Sequence, residues 1–251
     1  MRALIGLLAG DPQPAAAAEM KRLIDLPRLS PWREHLRYSI LSQQGVAREA
    51  HYVHPSPQAA ALTLANCAPA NRADLMALTL DHLRDIEHHL RGADTFELRL
   101  FWKQGVNDPK SPQDENYCRD LLLEKLRVPL ARLGVHVVPE RRAADDKRAD
   151  LRVEFMAAGP LLAVPVEIKK ENNDSLWLAW RDQLQSLYAI DPAADGHGIY
   201  LVLWFGQRPR SSPEGERPAG AGDLGRQLTE RIPLADRARL AVQVMDLSLP
   251  S

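Results

Sequence analysis

The stretch VPVEIKKEN, residues 164–172, combines an apolar strand pattern with closely spaced charges. In a β-strand, side chains two residues apart point to the same face of the sheet. Glu167 and Lys169 therefore share one face, while the two valines and Ile168 share the other. A Glu–Lys pair on an apolar strand indicates either two solvent-exposed surface residues or a chemically functional site. The residues of the neighbouring segments help to distinguish these two possibilities.

The segments around this strand alternate between helical and extended patterns, which predicts an α/β (α+β mixed) fold. Helices are expected at 114–134, 176–190 and 223–231, and strands at 95–102, 135–138, 149–155, 198–206 and near the carboxyl terminus. Residues 198–206 are almost all apolar, as in a central strand covered on both faces. The order of elements from 114 to 206 predicts an αβββαβ core with a central mixed sheet flanked by helices.

Residues 1–94 show helical patterns broken by proline and polar turns, which predicts an all-helical domain for docking or scaffolding. Stacked helix pairs like those of an α-solenoid are an open alternative for this part. Residues 95–251 are expected to form a second domain. Its low-complexity segment, residues 207–222, is predicted to be a mobile loop.

Composition and motif content exclude several classes of protein. The 251 residues suffice for one large or two small domains of about 100–200 residues each, and the net charge of -1 gives no global basic field. A local basic groove is still compatible with a net charge close to zero. Cys67 and Cys118 form no CxxC pair, which argues against a zinc knuckle or disulfide scaffold and favours a reducing, cytoplasmic setting. No apolar run reaches the roughly 18 residues of a membrane span, and the nucleotide-binding motif GxxxxGK[ST] is absent.

Two carboxylates are predicted to meet beside the strand that carries Lys169. Asp150 lies near the start of the strand 149–155. If this strand pairs as a hairpin with the next one across the turn Gly159-Pro160, Asp150 lies near Glu167. Converging carboxylates repel each other, and a divalent cation with oxygen ligands such as Mg²⁺ relieves the repulsion. A nearby lysine can stabilise developing phosphate charge, or position and activate water.

Two further polar side chains fall on helix faces that are expected to be buried. Glu115 is in line with the apolar stripe of the first core helix, and Gln183 with that of the second. Glu115 has an alternative interpretation, because an acid in the first helical turn interacts favourably with the helix dipole. Gln183 can equally lie at the rim of the packed face. Tyr188 is more often a packing residue than a functional one.

Taken together, these elements resemble the PD-(D/E)xK nuclease superfamily, which has the restriction-endonuclease-like fold. The matching pieces are Glu115 on the first helix, the AD of residues 149–150, the EIK of residues 167–169 and the QLQSLY of residues 183–188. The last piece is similar to the QxxxY element of nucleases related to recombination helicases, with one additional residue between Gln and Tyr. The resemblance covers residues ~96–206. One departure is the alanine at position 149, where many members have proline.

The resemblance implies a Mg²⁺ (or Mn²⁺) site and hydrolysis of phosphodiester bonds, with DNA as substrate. The implied metal ligands are Asp150, Glu167 and the carbonyl of Ile168, with Glu115 as an additional or water-mediated ligand. Lys169 would position the attacking water and balance charge at the scissile phosphate. Gln183 and Tyr188 would orient the site or touch the nucleic-acid backbone.

Basic residues are expected to form a positive rim around this site, along which a phosphate backbone could run. Four lie in the charged loop before Asp150, and one follows Lys169. They are Arg141, Arg142, Lys147, Arg148 and Lys170.

The alternative is a catalytically silent nuclease-like fold that acts as a protein or nucleic-acid interaction module. Silent members of the superfamily usually lose a carboxylate or the lysine, whereas this chain keeps Asp150, Glu167, Lys169 and Glu115, which favours the enzyme. Bacterial defence systems often join such nucleases to sensor modules. The resemblance thus implies an effector that cuts foreign DNA. The N-terminal helices lie outside the resemblance, and they are expected separately to dock a protein partner or nucleic acid. A homodimer, the strandedness of the substrate and the choice between endo- and exonuclease stay open.

Overall fold

The computed structural model describes residues 1–52, 56–58, 61, 68–92, 95–103, 111–139, 150–156 and 160–250. Helices form the first part of the chain, as predicted. They are α1 (Arg2–Gly10), α2 (Pro14–Ile24), a 3-10 helix (Pro27–Trp32), α3 (Arg33–Ala50), α4 (Arg72–Gly92) and the short α5 (Thr95–Arg99).

The second part is built on a mixed sheet, which confirms the predicted fold class. A short antiparallel pair, β1 (Trp102–Lys103) and β2 (Ser111–Pro112), precedes helix α6 (Glu115–Ala131). The main sheet has five strands, ordered as in the chain: β3 (Val135–Pro139), β4 (Leu151–Phe155), β5 (Leu162–Lys170), β6 (Gly198–Trp204) and β7 (Leu240–Asp246). Strands β3, β4 and β5 are antiparallel, whereas β5, β6 and β7 are parallel. A π-helix (Trp180–Tyr188) connects β5 to β6, and α7 (Ala221–Arg231) lies between β6 and β7.

The two faces of the sheet bury different side chains. One face, which includes Ile168, packs against helices α4 and α6. The opposite face, which includes Tyr200, packs against the π-helix and α7. Glu167 lies on this second face because the parallel register aligns it with Tyr200, and Lys169 follows two residues later. The charged pair is therefore on a covered face of a central strand, where solvation cannot explain it.

Helix α4 shares the main core with the sheet. Its residues Leu75, Leu83 and Leu90 are fully buried in the same apolar cluster as Val153 of β4. Each such leucine contributes about 1.5–3 kcal/mol through burial. The domain boundary predicted at residue 94 stays a prediction, but the packing places α4 with the sheet that follows it.

A smaller apolar cluster holds the first three helices together. Its buried members are Ile5, Met20, Leu36, Ile40 and Ile190. The last of these follows the π-helix, and Gln44 of α3 donates a hydrogen bond to its carbonyl oxygen at 3.3 Å. The N-terminal helices thus contact the second part of the chain through α3. Within the described ranges, no helix is both long and apolar enough to cross a membrane.

The prediction of a strand at residues 95–102 is wrong. The structure has helix α5 there, followed by the two-residue strand β1. Leu98 and Phe101 are buried three residues apart, at helical spacing, whereas Phe96 is exposed. The alternation of apolar residues over a short segment therefore concealed a single helical turn.

The helix predicted at 176–190 is present only in part and differs in type. Turns precede it, and residues 180–188 form a π-helix, as shown by the hydrogen bond from Ala189 N to Leu184 O at 2.8 Å. This bond joins residues five apart, where an α-helix joins residues four apart. The change of helix type alters which side chains share a face.

Candidate active site

The candidate site lies at the carboxyl end of β5, where the start of β4 passes beside it. The antiparallel register aligns Leu151 with Val166, and extended by one residue it places Asp150 opposite Glu167. The backbone N–H of Ile168 donates a hydrogen bond to Asp150 Oδ2 at 2.8 Å. The predicted antiparallel pairing of the two strands is thereby confirmed, and Asp150 lies beside the strand position of Glu167. Gly159 of the predicted turn lies outside the described residues.

Lys169 lies between two carboxylates. Its Nζ is 2.5 Å from Glu167 Oε1 and 3.6 Å from Glu115 Oε1, and it donates a further hydrogen bond to the Ile168 carbonyl at 3.1 Å. Burial lowers the pKa of Lys169, but the charges of Glu167 and Glu115 outweigh burial and hold the pKa above its ordinary value. The lysine, only 8% exposed, therefore carries its positive charge within the site.

Glu167 is the most deeply buried carboxylate of the site, at 1% exposure. Burial raises its pKa to about 8, and the charge of Asp150 adds to this, although Lys169 acts in the opposite direction. Burial likewise raises the pKa of Asp150. Glu167 Oε2 is buried and accepts no hydrogen bond from any residue that the structure describes. A buried acceptor without a donor is unfavourable by about 1–3 kcal/mol, so this oxygen indicates a site for a further positive partner.

Glu115 is the first residue of α6, where its carboxylate reaches the end of β5. It accepts hydrogen bonds at 3.1 Å from Lys170 N and from Asn173 Nδ2. Glu115 lies in the first helical turn and also faces Lys169, so the structure agrees with both interpretations, and its role in the site stays a prediction.

Gln183 and Tyr188 both lie on the π-helix, where they are partly buried. Tyr188 packs beside the apolar cluster that includes Trp180 and Tyr200. In a π-helix, residues five apart line up along one side, much as residues four apart do in an α-helix. Although one additional residue separates Gln183 from Tyr188, the π-helix therefore keeps the two side chains on the same side of the helix. Their roles in the site stay a prediction.

Of the five basic residues expected to bind DNA, only Lys170 lies in the described part of the chain. Arg141, Arg142, Lys147 and Arg148 lie outside the described residues. Lys170 Nζ donates a hydrogen bond to the Gln113 carbonyl at 2.9 Å and lies 5.8 Å from the centre of the Phe205 ring.

Sequence reasoning missed Glu171, which is only 2% exposed. Its carboxylate accepts hydrogen bonds from the four successive backbone N–H groups of residues 205–208. These contacts hold the start of the loop predicted to be mobile against the end of β5. The sequence signal that could have identified Glu171 is the alternation that begins at Glu167 and Lys169, because it places a third charged residue on the same face two residues later.

The oxygens near the end of β5 are of the kind that a hard divalent cation takes as ligands. Asp150 and Glu167 supply carboxylate oxygens, the Ile168 carbonyl adds a neutral oxygen, and Glu167 Oε2 lacks a donor. Only two of these three oxygen donors are side chains, because the third is a backbone carbonyl. Accordingly, the described ranges contain no cluster of three or more His, Cys, Asp or Glu side chains placed to hold a metal ion.

Comparison with known proteins identifies a family but no named relative. No curated protein and no solved structure matches the chain significantly. One family model, described as a domain of unknown function (DUF8371), matches residues 75–207. The match covers more than half of the chain, from helix α4 through strand β6, and includes all the carboxylates described above. The chain therefore belongs to the DUF8371 family.

Proposed function

We propose that this protein is a metal-dependent nuclease that hydrolyses phosphodiester bonds of DNA. The observation that carries the proposal is the meeting of Asp150, Glu167 and Lys169 at the end of β5, with Glu167 Oε2 buried and without a donor. Acidic oxygens and a charged lysine together suit a phosphodiester, because one can hold a cation and the other can stabilise the added negative charge.

Asp150, Glu167 and the Ile168 carbonyl are the residues that would hold Mg²⁺ or Mn²⁺, with Glu115 as a further ligand, directly or through water. A bound ion of this kind polarises a phosphoryl oxygen and makes bound water more acidic. The Ile168 N–H keeps the Asp150 carboxylate in place through its 2.8 Å hydrogen bond.

Lys169 has two roles in this proposal. Its charge, maintained by Glu167 and Glu115, stabilises negative charge that develops on the phosphate oxygens. Its N–H groups can also donate a hydrogen bond to the attacking water and orient it. Glu115 acts as a positioning residue, because its carboxylate attracts the Lys169 ammonium and receives the Lys170 N–H.

A second candidate function is a catalytically silent interaction module. Two observations favour it. The Lys169 ammonium already donates hydrogen bonds to Glu167 and to the Ile168 carbonyl, two of the implied ligands. The described ranges also hold no group of three or more metal-ligating side chains. The two functions differ in metal binding, which isothermal calorimetry with Mg²⁺ or Mn²⁺ measures directly.

The test of catalysis is cleavage of linear and circular plasmid DNA with Mg²⁺ or Mn²⁺, beside a reaction with EDTA. The variant is Lys169→Ala, and the matched control is Lys125→Ala, a lysine of α6 that pairs with Glu97. We expect metal-dependent cutting by the wild type and the control, and none by Lys169→Ala. Absence of both cutting and metal binding in the wild type would support the silent module.

A further inference from the structure

The loop that follows β6 has a fixed position relative to the candidate site. The Glu171 carboxylate accepts the backbone N–H groups of residues 205–208 at 2.5 to 3.2 Å, and the Glu171 carbonyl accepts the N–H of Arg210 at 2.8 Å. Glu171 itself follows Lys169 by two residues. The loop is therefore attached to the same strand end that carries the candidate catalytic lysine.

This loop presents arginines around a cavity of about 400 Å³. The cavity is lined by Asn172, Arg208, Pro209, Arg210, Ser211 and Arg217, with no carboxylate among these residues. Arg210 forms an ion pair with Asp174. The exposed guanidinium groups of Arg208 and Arg217 form no ion pair with any residue in the described ranges. The cavity therefore has a local excess of positive charge in a chain whose overall charge is close to zero.

The arginine cavity borders the segment that directly follows the candidate site on the chain, since Asn172 is among its lining residues. Lys170 and Arg208 line a second, smaller cavity beside the first. Asn172, which lines both, is three residues from Lys169, a distance of at most about 10 Å along an extended chain. That span corresponds to about three nucleotides at the ~3.4 Å axial rise of one strand.

We infer that Arg208 and Arg217, together with Lys170, bind phosphate groups of the DNA strand on which the candidate site acts. Two unpaired guanidinium groups are well suited to phosphate oxygens, because each offers several donors in a planar arrangement. Glu171 orders the loop before binding, so little conformational freedom is lost when the strand docks. The orientation of the strand toward Lys169 rests on the proposed nuclease function, whereas the binding itself does not.

The experiment measures binding of a fluorescently labelled DNA oligonucleotide by anisotropy, with EDTA present so that no cleavage interferes. The variant is Arg208→Ala/Arg217→Ala, and the control is Arg28→Ala/Arg132→Ala. The control removes two exposed arginines from the 3-10 helix and from the far end of α6, so it causes the same change in net charge. Circular dichroism and thermal melting establish that both variants fold as the wild type does.

We expect the Arg208/Arg217 variant to bind about tenfold more weakly and the slope of log K against log salt to fall by about 1–2, with the control unchanged. Equal binding by the variant and the control, or no binding by the wild type, would overturn the inference. If instead the proposed nuclease function is wrong, DNA binding will depend on the arginines but the protein will not cut DNA when Mg²⁺ or Mn²⁺ is supplied. Cutting with unaltered binding in the variant would reject the arginine site and leave the nuclease standing.

Discussion

Lys169 Nζ lies 2.5 Å from Glu167 Oε1, on the face of β5 against which the π-helix packs. Removing one member of a buried ion pair leaves the other charge unpaired and is unfavourable by about 3–5 kcal/mol. A purely structural role would be served as well by two apolar residues, which commonly pack in such places without loss of stability. The burial of the pair is thus consistent with the proposed role of its charges in binding a ligand.

We expect the free energy of unfolding to decrease as the pH rises. Burial raises the pKa of Glu167 to about 8 from an ordinary value of 4.5, so between these values the folded protein holds a proton that the unfolded chain has lost. The stabilisation is fully present below the unfolded pKa and is lost as the pH rises through the folded one. It amounts to ~1.4 kcal/mol per unit of pKa shift.

Denaturant unfolding between about pH 5 and pH 8 measures this dependence. Glu167→Gln cannot ionise and should give a flatter profile, with a residual slope from Asp150, whose pKa burial also raises. A wild-type profile that rises over this range would contradict the burial of Glu167 as an acid.

We expect Mg²⁺ to raise the melting temperature at about pH 9, because Glu167, whose pKa burial raises to about 8, is then mostly ionised. A ligand that binds only the folded state at ten times its Kd adds about 1.4 kcal/mol, or a few degrees for a chain of this size. Asp150→Asn should abolish the shift, because it removes one of the ligating carboxylates. Asp81→Asn, an exposed aspartate of α4 paired with Arg84, serves as the control and should keep it. A shift retained in Asp150→Asn would place the ion elsewhere.

We expect Glu171→Ala to destabilise the protein by about 2–4 kcal/mol, because the four N–H groups of residues 205–208 lose their shared acceptor. Water replaces the acceptor for the exposed members of the set and limits the loss. The comparison is Glu124→Ala, an exposed glutamate of α6 that pairs with Arg127, for which a change within ~0.5 kcal/mol is expected. Urea unfolding curves of the two variants give the difference, and equal midpoints would show that the loop is held by other contacts.

We expect a fragment of residues 95–251 to fail to fold, whereas residues 71–251 should remain folded at lower stability. The shorter fragment lacks Leu75, Leu83 and Leu90 of α4, which are fully buried against the sheet. Among the described residues, the longer fragment loses the small cluster around Ile190, the contacts of α3 and the packing of Ala68, but it keeps the buried leucines of α4. Size-exclusion chromatography and near-ultraviolet circular dichroism of the two fragments test this, and a folded 95–251 fragment would establish the boundary at 94.

The sequence was sufficient for the pairing of β4 and β5, because the turn signal Gly159-Pro160 separates two extended segments and the period of a strand fixes which side chains share a face. The sequence was also sufficient to predict that Asp150 lies close to Glu167. Alternation failed at residues 95–102, where a single helical turn is too short for its period to be distinguished from that of a strand. Glu171 could not be assigned a role, because its partners are backbone N–H groups more than thirty residues away and no side-chain pattern marks them.

The π-helix has a consequence for variation within the DUF8371 family. A π-helix with one residue removed becomes an α-helix with its two ends nearly unmoved. Members of the family that lack one residue between positions 183 and 188 should therefore keep Gln and Tyr on a common side, with strands β5 and β6 in the same register. This segment tolerates a change of length inside the core, where insertions and deletions are normally confined to loops.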